Sequence, residues 1–390
     1  MDIAIAGAGI GGLTAALALA RRGFAVEIYE RASRLEEAGA GIQLTPNALN
    51  VLFGLGLGPA LEAHMVRLEA VVIRKGATGA LIQQLPLGAC QARWGAPYGV
   101  IHRADLQTVL VEAVHRRAIP LKLGREIRAA RQDGQRVTVS FAGKDADVSA
   151  SMLIGADGVW STLRAQLDLE PPRFAGRRAW RAVIPSEEIP VLFQGQKTGL
   201  WLGDNAHFVH YPVRSGQALN LVAVTHADDA GPGWSTPQPL DALLPHYAGW
   251  DGRLRALLAT VPQWRTWPLF EGRADSRIAT GRIALIGDAA HPMLPFIAQG
   301  GAAAIEDAAE LAARLDGAGH GDLPARLQEW SRLRLPRVGR IQAEAHSNGQ
   351  RYHRRWPLAA ARDLGLSALG GRRLLERYDW LYGWKPTETA

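Results

Sequence analysis

Residues 2 to 30 read DIAIAGAGIGGLTAALALARRGFAVEIYE. Asp2 to Ala6 is a short apolar run of strand character, and Gly7, Gly9 and Gly12 then form a G-x-G-x-x-G. Leu13 to Arg22 is rich in alanine and leucine and stops at Gly23, and Phe24 to Tyr29 is a second strand-like run closed by Glu30. Strand, glycine loop, helix, strand and acid in this order define a dinucleotide-binding βαβ unit. Gly7 permits the tight turn, Gly9 admits backbone N–H groups to a pyrophosphate at the helix N-terminus, and Gly12 lets helix and strand pack closely. Glu30, 18 residues beyond Gly12, is placed to accept hydrogen bonds from ribose hydroxyls. The unit by itself leaves NAD and FAD equally open.

The chain has 390 residues, more than a single core usually serves, so interleaved domains are expected. At 47% hydrophobic and 21% charged its composition excludes disordered and fibrous classes. The net charge of +7 is scattered, which favours a small anionic ligand over nucleic acid. Cys90 is the one cysteine, so an intrachain disulfide and a thiolate zinc site are excluded, and no metal is expected. Residues 3 to 20 are uncharged for long enough to imitate a signal peptide or a span. Asp2 stands where a basic segment would be needed, however, and four glycines interrupt the run. A cytoplasmic protein without membrane contact is the expectation.

Three further segments carry an apolar strand into a loop with a charge. In VIHRADLQTVL, 100 to 110, Arg103 opens an amphipathic helix with Leu106, Val109 and Leu110 on one face. A cation there opposes the helix dipole, which points to a nearby phosphate or carboxylate. In MLIGADGVWSTLR, 152 to 164, Asp157 either meets a ligand or caps the helix that starts near Ser161. Arg282 to Ile286 reads as a strand with Asp288 at its end, followed by a helix of Gly and Ala through Leu311 that holds Glu306 and Asp307 a turn inside. Ligands of open α/β sheets gather beyond the C-terminal strand ends, so Gly7, Asp157 and Asp288 are expected to face one crevice.

Together GAGIGG at 7 to 12, Glu30, HRADL at 102 to 106, GADGVWSTLR at 155 to 164 and GDAAHPMLPFIAQGGAAAIEDA at 287 to 308 resemble the single-component FAD-dependent aromatic hydroxylases, a family of flavoprotein monooxygenases. AQGGAAAIEDA and the ending YDWLYGW, 378 to 384, are similar to the subgroup of salicylate, hydroxybenzoate and hydroxynicotinate hydroxylases. The resemblance implies an α/β protein in which a Rossmann-like FAD-binding domain (1–75, 103–170 and 271–330) is interleaved with a smaller β-sheet substrate domain (76–102 and 171–270). Helices at 331–390 complete it. It further implies that Asp288 bonds a ribityl hydroxyl of FAD, that Pro295 lies at the isoalloxazine edge, and that Gly300, Gly301 and Ala302 aim N–H groups at the flavin pyrimidine ring. Arg103 and Asp157 would contact the pyrophosphate region, with Arg31 and Gln43 also along the cofactor. Gly39-Ala-Gly41-Ile42 would be the backbone beside which the flavin swings.

The implied reaction takes electrons from NADH or NADPH, captures O2 as a flavin C4a-hydroperoxide, and places one oxygen atom on a small hydroxylated aromatic acid. No second G-x-G-x-x-G occurs, so the nicotinamide is expected to bind transiently. WRAVIP, GLWLG, HFVHYPV and LNLVAVTH between Pro171 and Trp267 read as short strands of an inserted β domain. Alternation in HFVHYPV, 207 to 213, puts His207, Val209 and Tyr211 on one face and His210 on the other. His207 and Tyr211 are then candidate substrate contacts and proton relay, and Arg177, Arg178 and Arg181 are candidates for a substrate carboxylate. His291 is read as a structural residue of its motif. Some hydroxynicotinate enzymes carry a histidine near the position of Gln43, which disfavours that substrate. Alternatives are a hydroxypyridine carboxylate, a larger polycyclic or quinone-like substrate, or a non-catalytic ligand-binding protein on this fold. A monomer or homodimer is expected.

Overall fold

A computed structural model of the chain describes residues 1–35, 40–143, 145–231, 233–272 and 277–387. Its first sheet has the strand order Ala279–Thr280, Ile283–Leu285, Met152–Gly155, Asp2–Ala6, Ala25–Glu30, Leu121–Leu123. All neighbours are parallel except the Ala279–Thr280 edge. The central strands are continuous apolar runs because helices cover both faces of such a sheet. Register places Ala6 opposite Gly155 and Gly155 opposite Leu285, so the loops bearing Gly7, Asp157 and Asp288 leave the sheet side by side at one level.

Backbone crowding explains the glycines of the first loop. Gly7 has φ +102°, and a Cβ there would collide with the Ala156 carbonyl, while a Cβ on Gly12 would collide with the Gly7 carbonyl. The small residues of the helix Gly300–Leu315 have a similar origin. The Ala304 Cβ lies 3.2 Å from where Gly11 would carry one and 3.0 Å from the corresponding point on Gly287. A Cβ at Gly301 would stand 2.7 Å from Ile42 Cδ1. Close packing on the helix Ile10–Ala20 and on the Asp288 loop therefore demands small side chains, alongside any contact with a cofactor.

The second sheet is eight-stranded, in the order Thr236–Pro239, Gln263–Glu271, Arg173–Pro185, Ala218–His226, His207–Val213, Lys197–Leu202, Ala70–Lys75, Leu81–Pro86. Ala70–Lys75 pairs in parallel with Lys197–Leu202, so this strand belongs to the second sheet and not, as the sequence suggested, to the segment 1–75 of the first domain. Conversely Gly99–His102 pairs with Gly41–Leu44, which ties the end of the segment 76–102 to the nucleotide side. Both crossings are long-range pairings that local composition does not encode. The sequence boundary at 330 likewise falls inside a single 30-residue helix, Leu323–Tyr352.

That long helix carries the charges that neutralise Glu306 and Asp307. Arg334 reaches Asp307 through Nε at 2.8 Å and Glu306 through Nη1 at 2.9 Å, all three being buried. Arg337 adds two bonds to Glu306, at 2.6 and 2.7 Å, and donates to the Trp380 and Leu381 carbonyls. Asn47 Nδ2 donates to Glu306 at 2.6 Å and to Gln299 Oε1 at 3.0 Å. Asp307 also accepts from the Gly287 N–H at 2.9 Å and pairs with His291 Nε2 at 2.6 Å. Burial alone would raise the Asp307 carboxyl, but His291, Arg334 and the Gly287 N–H outweigh it and hold the group at about 2.

Removing one member of such a buried set strands the other charge, so Arg334→Met is expected to cost about 3–5 kcal/mol in urea unfolding of the full chain. The exposed partner of a peripheral pair, Glu329, should cost well under 1 kcal/mol when changed to Ala. Because the Asp307 pKa is lower folded than unfolded, its stabilisation is present above about pH 4 and is lost as pH falls towards 2. The stability curve of Asp307→Asn should therefore be flatter than wild type across that interval.

Candidate active site

The crevice at the strand ends collects the first set of predicted residues. Gly9 has nothing within 4 Å of where a Cβ would lie, so the backbone is open on the side where a pyrophosphate would meet the helix N-terminus. Glu30 accepts from the Ala8 N–H at 2.7 Å and the Ala32 N–H at 2.9 Å, which fixes its carboxylate over the glycine loop. Arg31 is exposed on the same rim. Asp157 takes up the capping role that its sequence allowed. One oxygen accepts from the Thr162 N–H at 3.0 Å at the start of the helix Thr162–Gln166, while Oδ1 is sealed in without a partner among the described residues. Burial pushes its carboxyl above the ordinary range.

Asp288 opens to the crevice, yet protein surrounds it closely enough that burial raises its carboxyl, with His291 and Arg103 opposing. Arg103 stands at the first turn of the helix Arg103–Arg116, and its N–H donates to the Ala40 carbonyl at 2.9 Å. Pro295 begins the turn Pro295–Ile297, and Gly300, Gly301 and Ala302 form the first turn of a helix whose end no side chain caps. Gln43 accepts from the Tyr98 hydroxyl at 2.6 Å, and the Gly41 N–H donates to Asn220 Oδ1 at 2.7 Å. Gly39 lies outside the described residues.

The second set lies across the crevice on the eight-stranded sheet. Register aligns Val183, Asn220 and Tyr211 in one cross-strand row, Arg181, Val222 and Val209 in the next, and Ala179, Val224 and His207 in the third. Directly paired residues share a face, so these rows form one surface, whose Tyr211 and Asn220 end meets the Gly41 strand. Val183, Val209 and Val222 remain partly accessible although they sit mid-strand, and they make an apolar floor. Tyr211 lies at one end of that floor with its ring against Gly41. Its hydroxyl takes no hydrogen-bond partner among the described residues, and burial keeps the phenol protonated.

Arg181 reaches the floor from its edge, its guanidinium 5.3 Å from the Trp267 ring centroid and its Nε sealed without a partner. Burial lowers its pKa, although it remains a cation, and Arg103 is the charge that adds to this shift. Arg177 shares the face but donates to the Asn205 carbonyl at 2.6 Å. Arg178 points to the opposite face, towards Asp229. His210 is also on the far face, packed on Phe193 and Phe208, as alternation required. His207 is at the other end of the floor, edge-on to Phe296 at 5.2 Å, and burial together with Arg177 pushes it down to about 3, so it is neutral. His291 is buried in the Asp307 network, away from this floor. Sequence reasoning placed Val209 on this face but missed Val183, Val222 and Asn220. Alternation in LNLVAVTH carried that signal once the strand was paired with HFVHYPV.

The chain matches the family described as FAD binding domain over residues 1–345. It is 36% identical over 385 residues to the 3-amino-4-hydroxybenzoate 2-monooxygenase PtnB3 of Streptomyces platensis, covering 98% of this chain and 96% of that protein. It is 34% identical over 391 residues to 3-hydroxybenzoate 6-hydroxylase 1 of Aquipseudomonas alcaligenes, covering 99% and 98%. Among solved structures, Klebsiella pneumoniae HpxO complexed with FAD and uric acid aligns with a TM-score of 0.87 at 27% identity, covering 98% of this chain and 96% of that one. With a crevice that suits a dinucleotide and an apolar floor facing it, the protein is a flavin-dependent monooxygenase of aromatic compounds that draws on NAD(P)H and O2. The chain belongs to the FAD binding domain family. No helix among the described residues is long and apolar enough to cross a membrane.

The residues present fit FAD. Open backbone at Gly9, Asp288 facing the crevice and an uncapped helix end at Gly300 are three places where a ligand's phosphates, hydroxyls and ring edge complete what the protein leaves open. Asp288→Ala is expected to purify without yellow colour yet remain folded, since it removes a carboxyl that burial penalises. Loss of the near-ultraviolet circular dichroism of the protein, together with the flavin, would refute a cofactor-specific role. Tyr211→Phe should retain FAD at wild-type occupancy.

Proposed function

We propose that the substrate is a small aromatic acid bearing a ring hydroxyl, of the salicylate or hydroxybenzoate kind, and that it lies on the Val183, Val209 and Val222 floor. The observation that carries this reading is Arg181, a half-buried cation with a sealed Nε at the edge of that floor. A planar guanidinium in a partly dry site favours a carboxylate, which it can hold in bidentate fashion. Two of the relatives act on hydroxybenzoates by name, which supports the same class.

Bound FAD supplies the redox chemistry, accepting electrons from NADH or NADPH and activating O2. The protein's part is placement and exclusion. Arg181 fixes one end of the ring, and the valines offer no polar atom that would hold water beneath it. Tyr211, protonated throughout the physiological range, can donate to a ring oxygen and hold it as that oxygen gains negative charge. His207, neutral at the other end, offers a ring nitrogen to hydrogen-bond a ring hydroxyl. The assignments of Arg103, Asp157, Asp288 and the Gly300 helix end to the cofactor support a flavin placed between the first sheet and this floor.

Holoenzyme oxidation of NADH and NADPH should accelerate with one or more hydroxybenzoates or amino-hydroxybenzoates, with product gaining one oxygen atom and little H2O2. Arg181→Met is expected to raise KM for that acid roughly 10- to 100-fold, as loss of a charge-assisted pair predicts, while leaving its carboxamide analogue nearly unaffected. Equal effects on acid and amide would remove Arg181 from carboxylate binding. Tyr211→Phe should slow product formation and raise the H2O2 yield. Wild-type coupling in that variant would exclude Tyr211 from the chemistry.

A further inference from the structure

The last turn of the long helix contributes a side chain that the site above does not use. His353 follows Tyr352 at its C-terminal cap, and its Nε2 lies 2.7 Å from His207 Nδ1. Both rings are buried, with relative exposures of 3% for His207 and 7% for His353. The contact spans 146 residues of sequence and joins the substrate sheet to the C-terminal helix. A hydrogen bond between two imidazoles needs one ring to donate and the other to accept. Neither outer nitrogen, His207 Nε2 nor His353 Nδ1, is among the sealed polar atoms that lack a partner.

The surroundings disfavour charge on either ring. Arg177 from the neighbouring strand and Arg362 from the helix Leu358–Leu369 are the cations that face the pair, and no carboxylate contributes to either titration among the described residues. Burial first, and then these cations, push His353 to about 2, with His207 itself adding to the shift. Tyr352 packs edge-on to His207 at 5.4 Å, and Tyr247 donates to the His207 carbonyl at 2.8 Å. A lone His207 would therefore be a poor base, because it would have to keep the proton it took.

We infer that His353 is a positioning residue that makes His207 a relay: it accepts the His207 Nδ1–H, which leaves the Nε2 lone pair facing the substrate, and it passes a proton onward. The inference rests on the proposed function, with the substrate hydroxyl at the His207 end of the valine floor. In the forward step the ring O–H bond breaks and its proton forms a bond to His207 Nε2. The Nδ1 proton of His207 moves to His353 Nε2, and the Nδ1 proton of His353 leaves to water. The substrate becomes a phenolate, one proton reaches solvent, and both rings end neutral in the opposite tautomer. No ring holds a charge at rest on either side of the transfer, which is why two histidines succeed where one is penalised. Reprotonation of the product returns both tautomers.

The test uses His353→Gln, which can still accept from His207 Nδ1 but cannot hand a proton on, and His353→Ala in the presence and absence of added imidazole. The expected result is an unchanged FAD content and an unchanged rate of flavin reduction by NAD(P)H, with single-turnover hydroxylation slowed about 100-fold in both variants. The loss should shrink as pH rises towards the ionisation of the substrate hydroxyl, vanish for a ring-fluorinated substrate that is already ionised, and be relieved by imidazole in the Ala variant. Wild-type hydroxylation by His353→Gln would overturn the relay, as would a loss that is the same at every pH and for the ionised substrate, which marks a packing role. His207→Gln separates the two levels. If it hydroxylates normally while the wild-type enzyme accepts an aromatic acid, the relay fails and the proposed function stands. If the wild-type enzyme accepts no aromatic acid, the proposed function itself has failed.

Discussion

The buried charge cluster of Glu306 and Asp307 with Arg334 and Arg337 is the interaction on which the site depends. Ion pairs of this kind add little net stability, because desolvation cancels much of the attraction. Their effect here is geometric. Asp307 accepts from the backbone of Gly287 and thereby sets the loop that presents Asp288. Glu306 accepts from Asn47 and so fixes the helix Pro46–Gly54 behind the Gly41 strand. Both carboxylates sit on the helix Gly300–Leu315, whose first turn no side chain caps. A shift of that helix by a fraction of an ångström would strand two charges at once, so its end is held in one place.

The contrast between this cluster and the crevice beside it follows from what each must do. Behind the helix, every carboxylate oxygen of Glu306 and Asp307 has a donor, and the Asp307 carboxyl is held low. In front of it, Asp157 and Asp288 carry carboxyls raised by burial, and Asp157 keeps an oxygen without a partner among the described residues. Ionised groups of the second kind carry a desolvation penalty that the first kind offset with their donors. The rigid layer allows these penalised groups to persist, and a ligand that binds only the folded protein would stabilise the whole by mass action.

Legibility in the sequence follows the range of the interaction. Gly7, Gly9, Gly12, Asp157 and Asp288 could be placed because each sits in a local punctuation signal: apolar strand, small residues, charge, helix. Alternation inside one strand separated His207 and Tyr211 from His210. What the sequence withheld depended on register between distant strands. In RRAWR the same alternation already sets Arg178 opposite Arg177 and Arg181, but only the pairing of Arg177 with His226 and of Arg181 with Val222 shows that Arg181 is the one bordering the valines. Ala70–Lys75 looked like part of the first domain because nothing local announces its parallel partner. His353 carries no signal at all in sequence, as it sits in a basic, aromatic-rich tail that resembles a solvated helix face.

The Gly and Ala run from 300 to 304 shows that small residues in one motif can answer to several neighbours at once. A helix aimed at a flavin needs small residues at its open end, and Gly300 has only Met293 near its missing Cβ, at 3.9 Å, so that position is consistent with access for a ligand. Gly301 is different, since Ile42 occupies the space 2.7 Å away, and Ala304 is confined between Gly11 and Gly287. One short segment therefore satisfies three neighbours: the crevice, the Gly41 strand and the first helix. Substitution within it cannot be assigned to cofactor binding from proximity alone, because a larger side chain at 301 first pushes on the Gly41 strand through Ile42, and one at 304 on the helix Ile10–Ala20 and the Gly287 loop. The crevice is the product of that packing, and its shape inherits its precision from the fit of the helix Gly300–Leu315 against its neighbours.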